Sequence, residues 1–131
     1  MREKTIVVAL GGNALQPADE AGSIAQQFAH TRESLGAIVA LARAGWRIAI
    51  VHGNGPQIGD DLVRNEQARA QVPPLPLGVL VAGSAGWIGY MIQQSLRNAL
   101  DRASIDRAVV TMIAQVEVDP AEARLEPTKP I

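Results

Sequence analysis

Cysteine is absent from this chain of 131 residues, and aromatic residues make up only 3% of it. The absence of cysteine excludes a disulfide framework, cysteine metal ligands and a cysteine nucleophile. The scarcity of aromatic residues leaves no visible stacking platform for single-stranded nucleic acid. Twelve Lys and Arg against 13 Asp and Glu give a net charge of −1. We therefore expect neither nucleic acid nor an anionic membrane as a partner.

Long apolar runs are also lacking. No window approaches the roughly 20 apolar residues of a membrane span. The apolar run within the first ten residues is too brief for a signal peptide followed by a cleavage site. These absences predict a cytoplasmic protein. The length suits about one domain, and 47% apolar with 19% charged residues is an ordinary globular balance.

Two glycine-rich segments follow runs that are typical of buried β-strands. The first run, Ile6–Leu10, ends in Gly11-Gly12-Asn13, and the second, Arg47–Val51, ends in His52-Gly53-Asn54-Gly55-Pro56-Gln57. Because each run is nearly continuous in apolar residues, both are predicted to be central strands of a parallel sheet. Ligands bind at the carboxyl ends of such strands. Glycines there let backbone N–H groups approach an anion.

The two segments differ in how strongly they indicate a ligand. Gly11-Gly12-Asn13 is equally compatible with a plain turn and with a binding loop. The Gly53-Asn54-Gly55 segment is more specific, because a structural turn rarely needs two glycines and an asparagine. Pro56 fits the first turn of a helix, whose free N–H groups would face the same anion.

Apolar spacing and turn residues predict the remaining elements. A long amphipathic helix is expected from Ser23 to a stop at Gly45. The other elements are a helix from Pro56 to about Ala70, a third helix from about Val79 to Ala103, and a third strand at Ala108–Gln115 that could continue to Val118. Gly83, Gly86 and Gly89 in the third helix indicate either close packing or a turn that faces the ligand.

Four further sites carry weaker signals. Lys129, flanked by Pro127 and Pro130, is either a solvated charge or a cation that a stiff loop presents to a phosphoryl group. Asp60 and Asp61 are adjacent on a predicted helix, so they diverge and are expected to be surface charges rather than metal ligands. His52 is expected to pack, and His30 is expected to face solvent without a partner.

Three segments together resemble the carbamate kinase branch of the amino acid kinase superfamily. They are Val8-Ala-Leu-Gly-Gly-Asn-Ala14, His52-Gly-Asn-Gly-Pro-Gln57 and the stretch from Asp119-Pro120 to Pro127-Thr-Lys-Pro-Ile131. The resemblance extends to Gly86-Trp-Ile-Gly-Tyr90 and Gln115-Val-Glu-Val-Asp-Pro120. Ala9, where many relatives in the superfamily carry a lysine, is typical of this branch. One departure is Ser84-Ala85-Gly86, where the family usually has Thr/Ser-Gln-Gly, so that a polar side chain is lost.

This resemblance implies a three-layer α/β/α sandwich and reversible phosphoryl transfer between carbamoyl phosphate plus ADP and carbamate plus ATP, in arginine catabolism. Gly11, Gly12 and Asn13 would line the phosphoryl site. Gly53, Asn54 and Gly55 would bind the carbamate end, and Lys129 would act catalytically from a mobile flap. Mg²⁺ with ATP or ADP would serve the full-length enzyme.

The resemblance also implies a division of the chain. Residues 1–118 would form the amino-terminal lobe that binds carbamoyl phosphate or carbamate, and residues 119–131 would begin the flap. A nucleotide-binding lobe is not expected in this sequence, so we expect no bound nucleotide or metal and doubtful activity for this chain alone. A homodimer is expected. The alternatives are a non-catalytic module that binds anions and dimerises, and a kinase of another small acid.

Overall fold

The computed structural model describes residues 4–121, in which two strands and five helices follow one another along the chain. The elements are β1 (Thr5–Leu10), α1 (Gly12–Leu15), α2 (Ile24–Ser34), α3 (Gly36–Arg43), β2 (Arg47–His52), α4 (Gly55–Gln67) and α5 (Leu77–Arg102). The sequence predicted both strands to within a residue at each end, because their apolar runs are bounded by glycine or by charged residues.

The strands β1 and β2 pair in parallel, in a register that runs from Thr5 opposite Arg47 to Leu10 opposite His52. Helices α2 and α3 provide the crossover that parallel strands require. Gly45 ends this crossover with a φ of +84°, a left-handed conformation that glycine adopts without steric penalty. The predicted parallel strands with a helical segment between them are therefore confirmed, and their register places the two glycine-rich segments side by side.

Helices cover one face of this sheet. Along both strands the partly or fully buried residues alternate with exposed ones, as in a sheet with one solvated side. On the open side, Val7 and Val51 keep 64% and 51% of their surface exposed. The α/β class with a parallel sheet is confirmed. The expectation that both faces are buried is wrong for residues 4–121, which supply the sheet and one helical layer of the sandwich.

Helix α5 forms the centre of the core. Its buried residues divide between two clusters, one near the carboxyl ends of the strands and one near the middle of the crossover. The first cluster contains Leu10, Leu15, Ile88, Met91 and Ile92. The second contains Leu35, Ile38, Ala42, Leu96 and Leu100. Residues of α5 belong to both clusters, and Ile50 of β2 packs against both. Helix α5 therefore joins the sheet to the glycine-rich end of the molecule.

The long helix predicted from Ser23 to Gly45 is two helices. At Leu35 the backbone tightens, with its N–H bonded to the carbonyl of Arg32 rather than one residue further back. The buried stripe nevertheless continues across this break, from Gln27 through Leu35 to Ala42. Periodicity alone therefore could not reveal the interruption.

The third predicted strand, Ala108–Gln115, is wrong. Residues 105–119 carry no regular secondary structure, although Val109 and Thr111 are half-buried and their neighbours are exposed, as in a strand. A cavity of about 250 Å³ separates this segment from β2 and is lined by Ile48 and Ile50 on the sheet side. The segment has the sequence pattern of a strand, but in the described chain it has no strand beside it to pair with.

Candidate functional site

The two glycine-rich segments meet at the carboxyl end of the sheet. Leu10 and His52 are paired at the last position of the register. The N–H of Gly53 donates to the carbonyl of Leu10 at 3.1 Å, which extends the pairing into the second segment. This geometry brings the two segments together at one edge of the sheet, and their sharing of one binding site stays a prediction.

The approach between the segments is tightest at Gly12. A Cβ added at Gly12 would lie 3.0 Å from Cδ of Pro56 and 3.7 Å from the nitrogen of Gly55. A Cβ at Gly53 would lie 3.5 Å from the nitrogen of Gly12, an ordinary contact. A side chain at Gly12 would therefore push one segment away from the other by a few tenths of an ångström. Gly11 and Gly55, which meet nothing within 4 Å, are open to a ligand.

Helix α4 begins at this junction with its first N–H groups available. Asn54 occupies the N-cap position, where an asparagine side chain ordinarily accepts from the first turn. Here its side chain makes no capping bond, and no other side chain in residues 4–121 replaces it. Pro56 in the first turn has no N–H to satisfy. The positive end of the α4 dipole and its unpaired donors are thus left facing the loops, an arrangement that suits an anion.

The side chain of Asn54 instead bonds to α5. Its Nδ2 donates to Oγ of Ser84 at 2.8 Å, and the hydroxyl of Ser84 donates to the carbonyl of Val81 at 2.9 Å. Ser84 is fully buried. The sequence indicated Ser84 only as part of the altered Ser84-Ala85-Gly86 element. The structure shows that Ser84, next to the altered Ala85, is the residue that binds the side chain of Asn54.

A second polar link joins α4 to the loop before α2. Gln57, which is 1% exposed, donates from Nε2 to Oε1 of Gln27, and Gln27 donates to the carbonyl of Gly22 at 2.8 Å. Sequence reasoning missed this link. A glutamine at the third position of a helix carries no signal for a partner 30 residues away. Oε1 of Gln57 is buried and receives no hydrogen bond from the described residues.

The remaining predicted site residues have separate outcomes. Asn13 is the second residue of α1, and the role of its side chain stays a prediction. Lys129 lies outside the described residues, so its catalytic role also stays a prediction. Gly89 is buried, and a Cβ added there would clash with the side chain of Thr111. Close packing is thus the role of Gly89, whereas a Cβ at Gly86 would meet Ile113 at an ordinary 3.5 Å and one at Gly83 would meet nothing within 4 Å.

The aspartates behave as surface charges, as predicted. Asp60 accepts from Gln16 at 3.4 Å and Asp61 pairs with Arg64 at 2.8 Å, so each carboxylate has its own partner. Across residues 4–121 no group of three or more histidine or acidic side chains could hold a metal ion. No helix in the same part of the chain is both long and apolar enough to cross a membrane.

The two histidines contact different partners. The expectation that His30 lacks a partner is wrong, because its Nε2 lies 2.9 Å from Oε2 of Glu20 and its Nδ1 3.6 Å from Glu33. The hydrogen bond and charge of Glu20, with a smaller contribution from Glu33, raise the pKa of His30 above its ordinary value. His52 turns its Nδ1 to the carbonyl of Gly53 at 3.1 Å and lines the cavity beside β2, which agrees with a packing role.

Comparison with known proteins supports the resemblance found in the sequence, although no family model matches the chain. The carbamate kinase of Pyrococcus furiosus is 41% identical over 131 residues, which cover 98% of this chain and 42% of that protein. The carbamate kinase of Escherichia coli is 45% identical over 127 residues, with 96% and 41% covered.

Solved structures agree with these sequence matches. A carbamate kinase from Giardia lamblia bound to AMP-PNP superposes with a TM-score of 0.92 at 37% identity, over 98% of this chain and 46% of that one. A second structure of the Giardia enzyme gives a TM-score of 0.93 at 36% identity and covers 44% of that chain. The chain thus spans about two fifths of the length of these relatives. It is a homologue of the carbamate kinases that corresponds to their amino-terminal portion.

Proposed function

We propose that the two glycine-rich segments form the carbamoyl phosphate and carbamate side of a carbamate kinase site. The reaction would be reversible phosphoryl transfer between carbamoyl phosphate plus ADP and carbamate plus ATP. The observation that carries the proposal is the junction of the two segments at the ends of paired parallel strands, with Gly53 bonded to Leu10 and Gly12 against Pro56. Identity of 41% to a carbamate kinase over almost the whole chain supports the choice of substrate.

The contribution of these residues to the reaction is positioning and neutralisation of charge. Phosphoryl transfer needs little covalent participation from a protein, and fixed N–H donors stabilise charge on the equatorial oxygens. Gly11, Gly12 and Asn13 would line the phosphoryl group. Gly53, Asn54 and Gly55 would hold the carbamate end, close to the free N–H groups of α4. Both groups are then held at one junction, which lowers the entropic part of the barrier.

Two parts of the proposal draw on the relatives. Lys129 would reach over the site from a flap and neutralise the transferring phosphoryl group. ATP or ADP would bind with Mg²⁺, and AMP-PNP in the Giardia enzyme supports the nucleotide. In residues 4–121 no three histidine or acidic side chains are grouped, so a metal site made of protein ligands alone is excluded there. Residues 4–121 are therefore assigned only the binding of the carbamoyl group, and turnover by this chain alone is not expected.

The proposal also covers the setting of the activity. We propose a cytoplasmic protein of arginine catabolism that acts on a small molecule. We also propose a homodimer, because a line of apolar side chains around the start of α5 is about half exposed. These side chains are Val72, Leu75, Leu77, Val79 and Val81. This surface also favours the second candidate, a module that binds anions and dimerises without catalysis.

The test of the proposed function is a binding and activity experiment on the 131-residue chain. Carbamoyl phosphate and inorganic phosphate are expected to shift the backbone amide signals of residues 11–13 and 53–57 in nuclear magnetic resonance (NMR) titrations. ADP is expected to shift none of these signals. Absence of phosphate-dependent shifts in the folded chain would overturn the proposal. Transfer of phosphate to ADP by this chain would refute the assignment of a binding role alone.

Light scattering of the same sample tests the dimer. The expected mass is twice that of the chain, and Leu77→Lys is expected to return it to the mass of a monomer. Val7→Lys, at an exposed position on the open face of the sheet, is the control and is expected to leave the mass unchanged. A monomeric wild-type chain at high concentration would contradict this part of the proposal.

A further inference from the structure

We propose that Ser84 is a positioning residue that fixes the amide of Asn54, and that it thereby gives the site its preference for an amino-bearing acyl phosphate. This inference rests on the proposed function. It adds a role for a residue of α5 that lies outside both glycine-rich segments. The decisive feature is the atom of the asparagine amide that faces Ser84.

The hydroxyl proton of Ser84 is already committed. It donates to the carbonyl of Val81 at 2.9 Å, one turn back in the same helix. A serine hydroxyl has one proton and two lone pairs, so towards Asn54 its oxygen can only accept. Because Ser84 is fully buried, water cannot enter to relax this constraint.

The orientation of Asn54 follows from that constraint. The branch of its amide that faces Ser84, 2.8 Å away, must be the NH₂ group. The carbonyl oxygen Oδ1 is then on the other branch, where it accepts no hydrogen bond from the residues that the structure describes. Without Ser84 the two ends of the amide would be nearly equivalent in shape, and either could face the loops.

A free acceptor is unusual among the groups at this junction. The backbone N–H groups at the start of α4 are donors, and they match the oxygens of a phosphoryl group or a carboxylate. Oδ1 of Asn54 instead matches a group that carries N–H. In carbamoyl phosphate and carbamate that group is the amino group, which acetyl phosphate replaces with a methyl of similar size. An acceptor that the bound ligand covers without supplying a donor disfavours the methyl analogue.

The experiment compares carbamoyl phosphate, acetyl phosphate and inorganic phosphate as ligands of the 131-residue chain, by NMR titration with freshly dissolved ligands. The wild-type chain is expected to bind carbamoyl phosphate about three- to tenfold more tightly than acetyl phosphate, the effect of one neutral hydrogen bond. In Ser84→Ala the two dissociation constants are expected to converge within about twofold. The affinity for inorganic phosphate, which has no amino group, is expected to stay unchanged.

Two variants control for a merely structural effect. Ser84→Thr keeps the hydroxyl and is expected to restore the preference. Ser95→Ala removes an equally buried serine from the same helix, three turns away, and is expected to leave the preference intact. In the unliganded chain, the side-chain NH₂ signals of Asn54 are expected to move to solvent-like positions in Ser84→Ala and to stay in place in Ser95→Ala.

The possible failures are distinct. If the folded wild-type chain binds none of the three phosphates, the proposed function fails and this inference fails with it. If the chain binds them but Ser84→Ala keeps the wild-type preference for carbamoyl phosphate, only the role of Ser84 is overturned. Unchanged NH₂ signals of Asn54 in that variant would also overturn it.

Discussion

The close approach of Gly12 to Pro56 makes Gly12→Ala the most direct perturbation of the proposed site. An added Cβ would lie 3.0 Å from Cδ of the proline, so one of the two must move by a few tenths of an ångström. The ring of Pro56 is closed onto its own backbone in the first turn of α4 and cannot rotate away. We therefore expect α1 and α4 to separate, and the two glycine-rich segments with them.

The magnitude follows from two opposing effects. Overpacking of a tight contact costs about 1–3 kcal/mol. Replacing glycine by alanine in the unfolded chain restores about 0.4–1 kcal/mol, because φ at Gly12 is not left-handed and alanine fits the backbone. The expected net loss in the free energy of unfolding is about 1–2 kcal/mol. If one N–H is displaced from the anion, the affinity for phosphate falls about tenfold or more, since a hydrogen bond to a charged group contributes about 1.5–3 kcal/mol.

The assay combines urea unfolding with a phosphate titration, and Gly59→Ala is the matched control. Gly59 lies within α4 and meets nothing within 4 Å, so alanine there is expected to stabilise the chain by about 0.5–1 kcal/mol and to leave phosphate binding unchanged. If Gly12→Ala unfolds at the same urea concentration as Gly59→Ala and binds phosphate with wild-type affinity, the contact between Gly12 and Pro56 contributes neither to stability nor to phosphate binding, and the reasoning is refuted.

Two further predictions address the core and the charged surface. Ile88→Ala, at a fully buried position of α5, is expected to lower the free energy of unfolding by about 2–5 kcal/mol. Val7→Ala on the open sheet face is expected to cost less than about 1 kcal/mol by the same urea assay, and equal losses would contradict the one-sided core. The pKa of His30, read from its ring protons by NMR, is expected above 6.5 and to fall in Glu20→Gln. Because folding raises this pKa, the ion pair stabilises the fold fully below pH 6.5 and progressively less as pH rises through the folded-state pKa. A pKa of His30 that Glu20→Gln leaves unchanged would refute the pairing.

The sequence predicted what depends on local pattern. The two strands and their glycine-rich ends were found because β-branched runs and glycines mark them in single stretches of chain. It could not predict the break at Leu35, since the buried stripe crosses it, or the unpaired state of residues 108–115, since a strand forms only beside another strand. The bond from Asn54 to Ser84 was out of reach for a similar reason. It joins residues 30 positions apart, and nothing in either local sequence specifies the other.

The open face of the sheet has a consequence for the heat capacity of unfolding. Val7 and Val51 are already hydrated in the folded chain, so unfolding exposes less new apolar surface than it would from a sheet covered on both sides. An ordinary domain of this length has a heat capacity change of about 1.6–2.0 kcal/mol/K, and this chain is expected to fall below that range. Its free energy of unfolding is then expected to change little with temperature around its maximum.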